Sequence, residues 1–140
     1  MQTICEQFYK INLRQEEKMK EIELTFQANE FYPNQELQGN IKINYNGRYD
    51  SIVINAQIEK SSDVFHYTFL NGKKIDYPYN RFSILKKEIE NTKEVEFRCS
   101  TTHIPQEYSN VKFRVSIIQE HKEISSDILN ITIKNASKKE

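Results

Sequence analysis

The chain has 140 residues, enough for one domain with a single core that needs no staple or metal. Its 20 basic and 20 acidic residues cancel, so the basic excess of a general nucleic-acid binder is absent. No run of 18 apolar residues is present that could cross a bilayer as a helix.

The kind of apolar residue points to strands. There are 18 Ile, 5 Val, 6 Leu and 8 Phe, about 26% of the chain, above the roughly 20% below which disorder is the default. β-Branched and aromatic side chains fit a pleated surface and lose rotamer freedom in a helix.

Residues 1–20 form an N-terminal extension. Thr3 with Glu6 makes a capping-box pattern, and Ile4, Phe8 and Ile11 then share a helical face. Tyr9, Ile11 and Leu13 alternate as a strand would, so short helix and strand both stand here. Ile4, Phe8, Ile11 and Leu13 call for cover, either on the chain's own sandwich or on a second copy as a homodimer. Glu6, Arg14, Glu16, Glu17 and Lys18 leave no apolar signal region, so a cytoplasmic location is expected.

Period-two alternation then runs through residues 21–134. Ile22, Leu24, Phe26 and Ala28 share one face. So do Leu37, Gly39, Ile41, Ile43 and Tyr45, and then Ile52, Ile54, Ala56 and Ile58. Val64–Leu70 is β-prone, and Ile75–Ile84 holds one more strand around Pro78. Val95, Phe97 and Cys99 follow, then Val111, Phe113, Val115 and Ile117, and finally Ile131 and Ile133. Each run reads as a strand with one face buried and one wet. Tyr32-Pro33-Asn34, Asn46-Gly47, Asn71-Gly72 and Ile104-Pro105 punctuate them. Asn71-Gly72 reads as a tight hairpin, and Asn46-Gly47 as a hairpin signal with a longer loop. Seven to eight short strands at this spacing predict an all-β antiparallel sandwich, immunoglobulin-like and not a βαβ fold. Residues 135–140 read as a frayed polar tail.

Catalytic chemistry is not visible in the spacing. Cys5 and Cys99 read as free thiols, with Cys99 on the apolar face of its strand. Cys99 with His103 lacks an orienting group for a nucleophile and base. His66, His103 and His121 are scattered, without the local pairs of a zinc site, and Asp50, Asp63, Asp76 and Asp127 do not form a calcium loop. Gly39, Gly47 and Gly72 do not make a phosphate cradle. No cofactor and no metal are expected, and the chain is read as no enzyme. Tyr77, Tyr79 and Phe82 form the densest aromatic cluster outside the clean alternations. They serve as a contact surface for a protein or sugar, or they cap one end of the sandwich.

One stretch resembles a known family. Phe31-Tyr32-Pro33-Asn34-Gln35-Glu36-Leu37-Gln38-Gly39-Asn40-Ile41 is similar to the second-strand entry of arrestin-like domains, which read Tyr-x-Pro-Gly-Glu-x-Leu-x-Gly-x-Val. Pro33, Leu37, Gly39 and Ile41 match. Asn34 stands where Gly is usual, and Asn tolerates positive φ. Ile52–Ile58, Phe97 with Ile104-Pro105, Val111–Val115 and Ile128–Ile133 resemble later strands of the family. The similarity covers residues 21–134, one lobe where arrestins carry two, as in single-lobe sporulation-control-like proteins. It implies a non-enzymatic intracellular adaptor or scaffold that binds a protein partner through a sheet edge and end loops. The rival expectation is a carbohydrate-binding or adhesion sandwich using Tyr77, Tyr79 and Phe82. A hydrolase built on unrecognised carboxylates ranks last.

Overall fold

A computed structural model describes residues 20–89 and 92–135. It contains β1 (Ile22–Phe26), β2 (Glu30–Phe31), β3 (Leu37–Ile43), β4 (Ser51–Ile58), β5 (His66–Leu70), β6 (Lys73–Tyr77), β7 (Arg81–Leu85), β8 (Glu94–Ser100), β9 (Tyr108–Gln119) and β10 (Lys122–Lys134). They form two five-stranded sheets, ordered β1-β3-β8-β5-β6 and β2-β10-β9-β4-β7. All pairings are antiparallel except that of β2 with β10. The expected all-β sandwich is present.

Among the described residues the strand count is ten, a correction to the seven or eight expected. Two residues of β2 are too few to show a period. Ile75–Ile84 is not one strand, because Pro78 stands between β6 and β7, which lie in different sheets. Only β5–β6 and β9–β10 are hairpins among the described residues; every other connection crosses between sheets. Asn46-Gly47 is therefore a crossover and not a hairpin turn, and neither residue has a positive φ. Asn71 and Gly72 do, at 43° and 84°, as their tight hairpin requires.

The inward faces make one core. Ile22, Ile41, Ile52, Ile54, Ile84, Ile117 and Ile133 are fully buried. Between them runs an aromatic column. Phe26 packs on Phe97 and Phe113 at 5.8 and 4.7 Å between centroids, and Phe65 on Phe113 at 5.1 Å. Such pairs each add about 1 kcal/mol beyond their buried area. Gly39 makes room for the column: a Cβ there would lie 2.5 Å from the Phe97 ring. Asn34 adopts φ 67° in the turn before β3, the conformation its place in the Pro33 turn called for.

The two flanks of the sandwich differ. At one, Asp127 sits buried among the inward residues of β10, and its carboxylate accepts the Leu24 amide at 2.9 Å. That amide belongs to edge strand β1, so β1 is stitched to the opposite sheet. Lys20 Nζ donates to the other carboxylate oxygen at 2.9 Å, and the Lys20 carbonyl accepts from Asn44 Nδ2. Lys20 is thus part of the sandwich; the rest of the N-terminal extension and its helix-or-strand question lie outside the described residues. Short β2 covers the neighbouring edge of β10, reinforced by Thr132 N–H donating to the Asn29 carbonyl. At the other flank, β6 and β7 are the outermost strands of their sheets. At the tail, Asn135 is not frayed: its side chain donates to the carbonyls of Pro105 and Gln106 at 2.8 and 3.1 Å. Residues 136–140 lie outside the described residues.

The β9–β10 hairpin closes between Gln119 and Lys122, with Glu120 and His121 as its two turn residues. Both have positive φ, 51° and 66°. Glu120 has no preference for that region, where left-handed backbone costs an ordinary residue roughly 1–2 kcal/mol, and His121 tolerates it better than most. The Glu120 amide donates to Asp50 Oδ2 at 2.7 Å and helps hold the turn. Replacing the pair by Asn-Gly (E120N with H121G) keeps that backbone bond and relieves the strain. The double variant is expected to gain about 1 kcal/mol in chemical denaturation. No gain, or a loss, would mean that the turn is not strained.

Candidate functional site

One end of the sandwich gathers the residues with chemistry. Three connections meet there: residues 59–65 between β4 and β5, residues 78–80 between β6 and β7, and residues 101–107 between β8 and β9. Asn80 ties the first two together. Its Oδ1 accepts the Phe65 amide at 2.8 Å, and its carbonyl accepts the Tyr67 hydroxyl and the Ala56 amide, each at 3.0 Å. Thr101 ties in the third, its hydroxyl donating to the Val64 carbonyl at 2.9 Å.

The aromatic cluster expected from the sequence does assemble. Tyr77 meets Tyr79 at 5.1 Å and Phe82 at 4.9 Å. The three do not play one role. Phe82 is 7% exposed and packs on Tyr67, because it alternates with Ile84 on the inward face of β7. It braces the cluster from below and presents no face to a partner, a correction to its place among the contact residues. Tyr77 is half-buried. Tyr79 is 60% exposed and is the member that meets solvent.

His103 lies in this end, 13% exposed by its side chain. Its Nδ1 is 2.7 Å from Asp63 Oδ2, and its Nε2 is 3.1 Å from Ser109 Oγ. Ser61 Oγ stands further off, 3.5 Å from Nδ1. The bond to His103 holds the Asp63 carboxyl below its ordinary pKa. Sequence reasoning missed this grouping, since its members come from three connected but separate segments. The expected weakness of Cys99 with His103 has a structural reason. Cys99 is fully buried, burial pushes its thiol pKa well up, and the ring is bonded elsewhere. His66 pairs with Asp76 on β5 and β6. Among the described residues no three His, Cys, Asp or Glu side chains gather as a metal site.

Two open grooves adjoin these features. One of about 560 Å³ runs beside His103 and Ser109, walled by Lys60, Ile104, Tyr108 and Asn110. Ile104 is the most exposed large apolar side chain described. The other, of about 500 Å³, lies along β6 at the far end, between Lys73 and Ile75 on one side and Lys87 and Ile89 on the other. No helix of the described residues is long and apolar enough to cross a membrane.

No protein-family model matches the sequence, and no curated protein matches it. Among solved structures, the chain is similar to a conjugative transposon lipoprotein from Bacteroides eggerthii at 12% identity and a TM-score of 0.48. That match covers 82% of this chain and 98% of the other. It is similar to the human F-spondin reeler domain at 10% identity and a TM-score of 0.48, covering 89% and 97%. The Salmonella SafD adhesin matches at 9% identity and a TM-score of 0.48, covering 83% and 99%.

The separate roles of Phe82 and Tyr79 have a direct check. Phe82→Ala opens the core and is expected to cost about 3–5 kcal/mol in denaturant unfolding. Tyr79→Ala is expected to stay within about 0.5 kcal/mol of the parent. Equal losses would show that Tyr79 is a core residue as well.

Proposed function

We propose that this chain is a binding module that takes an extended segment of a partner protein along the open β6 edge and the adjoining end loops. The observation that carries the reading is the difference between the flanks. Edge strand β1 is tied off by Asp127, while among the described residues no strand lies beyond β6. The hairpin fixes which groups of β6 look outward. Leu70 and Lys73 close a two-residue turn and bond each other, so the next pair, Phe69 and Lys74, is a non-hydrogen-bonded one. The Lys74 amide and carbonyl therefore point out of the sheet, where an added strand would bond them. The groove along β6 offers the half-buried Ile75 to an apolar side chain of that segment and Lys73 and Lys87 to acidic ones, with buried Leu70 and Ile89 beneath. Lysines on an open edge also deter self-pairing, which suits an edge reserved for one partner. Asn34 at φ 67° and Gly39 beneath Phe97 support an arrestin-type reading of residues 21–134.

A second reading, a carbohydrate-binding or adhesion module, is favoured by one observation. Tyr79 presents its ring to solvent and is braced edge-on by Tyr77.

Two variants separate the readings. Lys74→Pro removes one outward amide and costs no ladder bond, so the fold is expected to survive. Partners captured from an extract of the source cell by the parent protein should be lost with Lys74→Pro and kept with Tyr79→Ala. Binding on a glycan array, lost with Tyr79→Ala and kept with Lys74→Pro, would support the second reading. Partner capture unchanged by Lys74→Pro would refute strand addition at β6.

A further inference from the structure

The grouping of Asp63, His103 and Ser109 has a definite protonation pattern. An ionised carboxylate only accepts, so His103 Nδ1 carries the proton shared with Asp63 Oδ2 at 2.7 Å. In the neutral ring Nε2 is then the acceptor, and the Ser109 hydroxyl donates to it at 3.1 Å. The carboxylate sets the tautomer, the ring faces the hydroxyl as a base, and the hydroxyl lines an open groove. Each member is held by a different part of the fold. Ser109 is on β9, and His103 is fixed by its amide donating to Thr101 Oγ1 at 3.2 Å. Asp63 is fixed by its amide donating to Ser61 Oγ at 3.0 Å, and its carbonyl accepts Asn80 Nδ2.

We propose that Asp63, His103 and Ser109 form a proton relay that makes Ser109 an acyl-accepting nucleophile, and that the adjoining groove takes carboxylic esters. Ser109 Oγ attacks the ester carbonyl carbon as its proton passes to His103 Nε2. The tetrahedral adduct collapses, the bond to the alcohol oxygen breaks, and the alcohol leaves with that proton. Water then attacks the acyl-Ser109 carbonyl, giving a proton to His103 Nε2. The acid is released as Ser109 Oγ recovers the proton. Ester and water become acid and alcohol, with no co-reactant beyond water. Ile104 and Tyr108 give the groove an apolar wall for an acyl or alkyl chain, and Lys60 gives it a cation toward which negative charge on the carbonyl oxygen can build. The Asp63 side chain is 59% exposed, so water competes for its bond to His103. Slow turnover of activated esters follows from that exposure.

This activity is independent of contact at the β6 edge. The absence of catalytic motifs in the sequence does not bear on it, since the relay brings Asp63 to His103 and Ser109 from 40 residues away.

The test uses the full chain with diisopropyl fluorophosphate and p-nitrophenyl acetate. The phosphorus reagent forms a bond to Ser109 Oγ as fluoride leaves, and peptide mass spectrometry locates it. Labelling at Ser109 is expected, with none at exposed Ser62. His103→Gln keeps the serine and should label about a hundredfold more slowly. Asp63→Asn should show a smaller loss, and Ser109→Ala should abolish p-nitrophenyl acetate hydrolysis above background. Circular dichroism confirms that each variant folds. Absence of label at Ser109 in the parent protein, which needs no variant to fold, would overturn the proposal. So would equal labelling rates in a folded His103→Gln protein.

Discussion

A single buried carboxylate decides how this sandwich ends on one side. Asp127 occupies an inward position of β10 where the alternation with Leu129, Ile131 and Ile133 calls for an apolar side chain. Its cost of burial is offset by two bonds, from the Leu24 amide and the Lys20 ammonium, both at 2.9 Å. Without it the Leu24 amide, on the outermost strand of its sheet among the described residues, would lose its partner near the core, at about 1–3 kcal/mol. The carboxylate thus joins β1 across the sandwich and turns an edge into a seam.

The other side follows by contrast. Pro78 sends the chain from β6 to β7 in the opposite sheet, so the outermost strands of both sheets end on the same flank. There Glu88 accepts the Leu85 amide at the end of β7 at 3.4 Å, a local bond that does not join the two sheets. The core behind this flank is aromatic: Tyr67 and Phe82 are buried and pack against Tyr77 at 6.5 and 4.9 Å between centroids. A firm wall with an unclaimed edge is a surface suited to contact, and the loops at its end carry the exposed Tyr79 and the His103 grouping.

Much of this architecture is written in period two. β1, β3, β4, β8 and β9 each show the alternation that their buried faces require, and Asn71-Gly72 announces its turn chemically. What escaped sequence reading escaped for physical reasons. β2 has two residues, and parallel pairing with β10 leaves no local signature. The first half of β10 is exposed and bulged near Ser125, and Asp127 then interrupts its apolar face. Glu120 and His121 turn the chain at positive φ inside a long hairpin, without the Asn-Gly or Asp-Gly pair that announces such a turn. The aromatic cluster was legible as a neighbourhood. That Phe82 faces inward while Tyr79 faces out depends on which sheet each joins. The Asp63–His103–Ser109 grouping depends on the β4–β5 and β8–β9 crossovers meeting at one end, beside the start of β9, which no spacing encodes.

The contrast between a sealed and an open flank is measured most directly by amide hydrogen exchange, residue by residue, on the unliganded protein. The Leu24 amide should exchange only with global unfolding, as core amides do. The outward Lys74 amide should exchange at close to the rate of an unstructured chain. Asp127→Ala should release Leu24 and leave Lys74 unchanged. Fast exchange at Leu24 in the parent protein, or Lys74 protected to the same depth, would contradict the account.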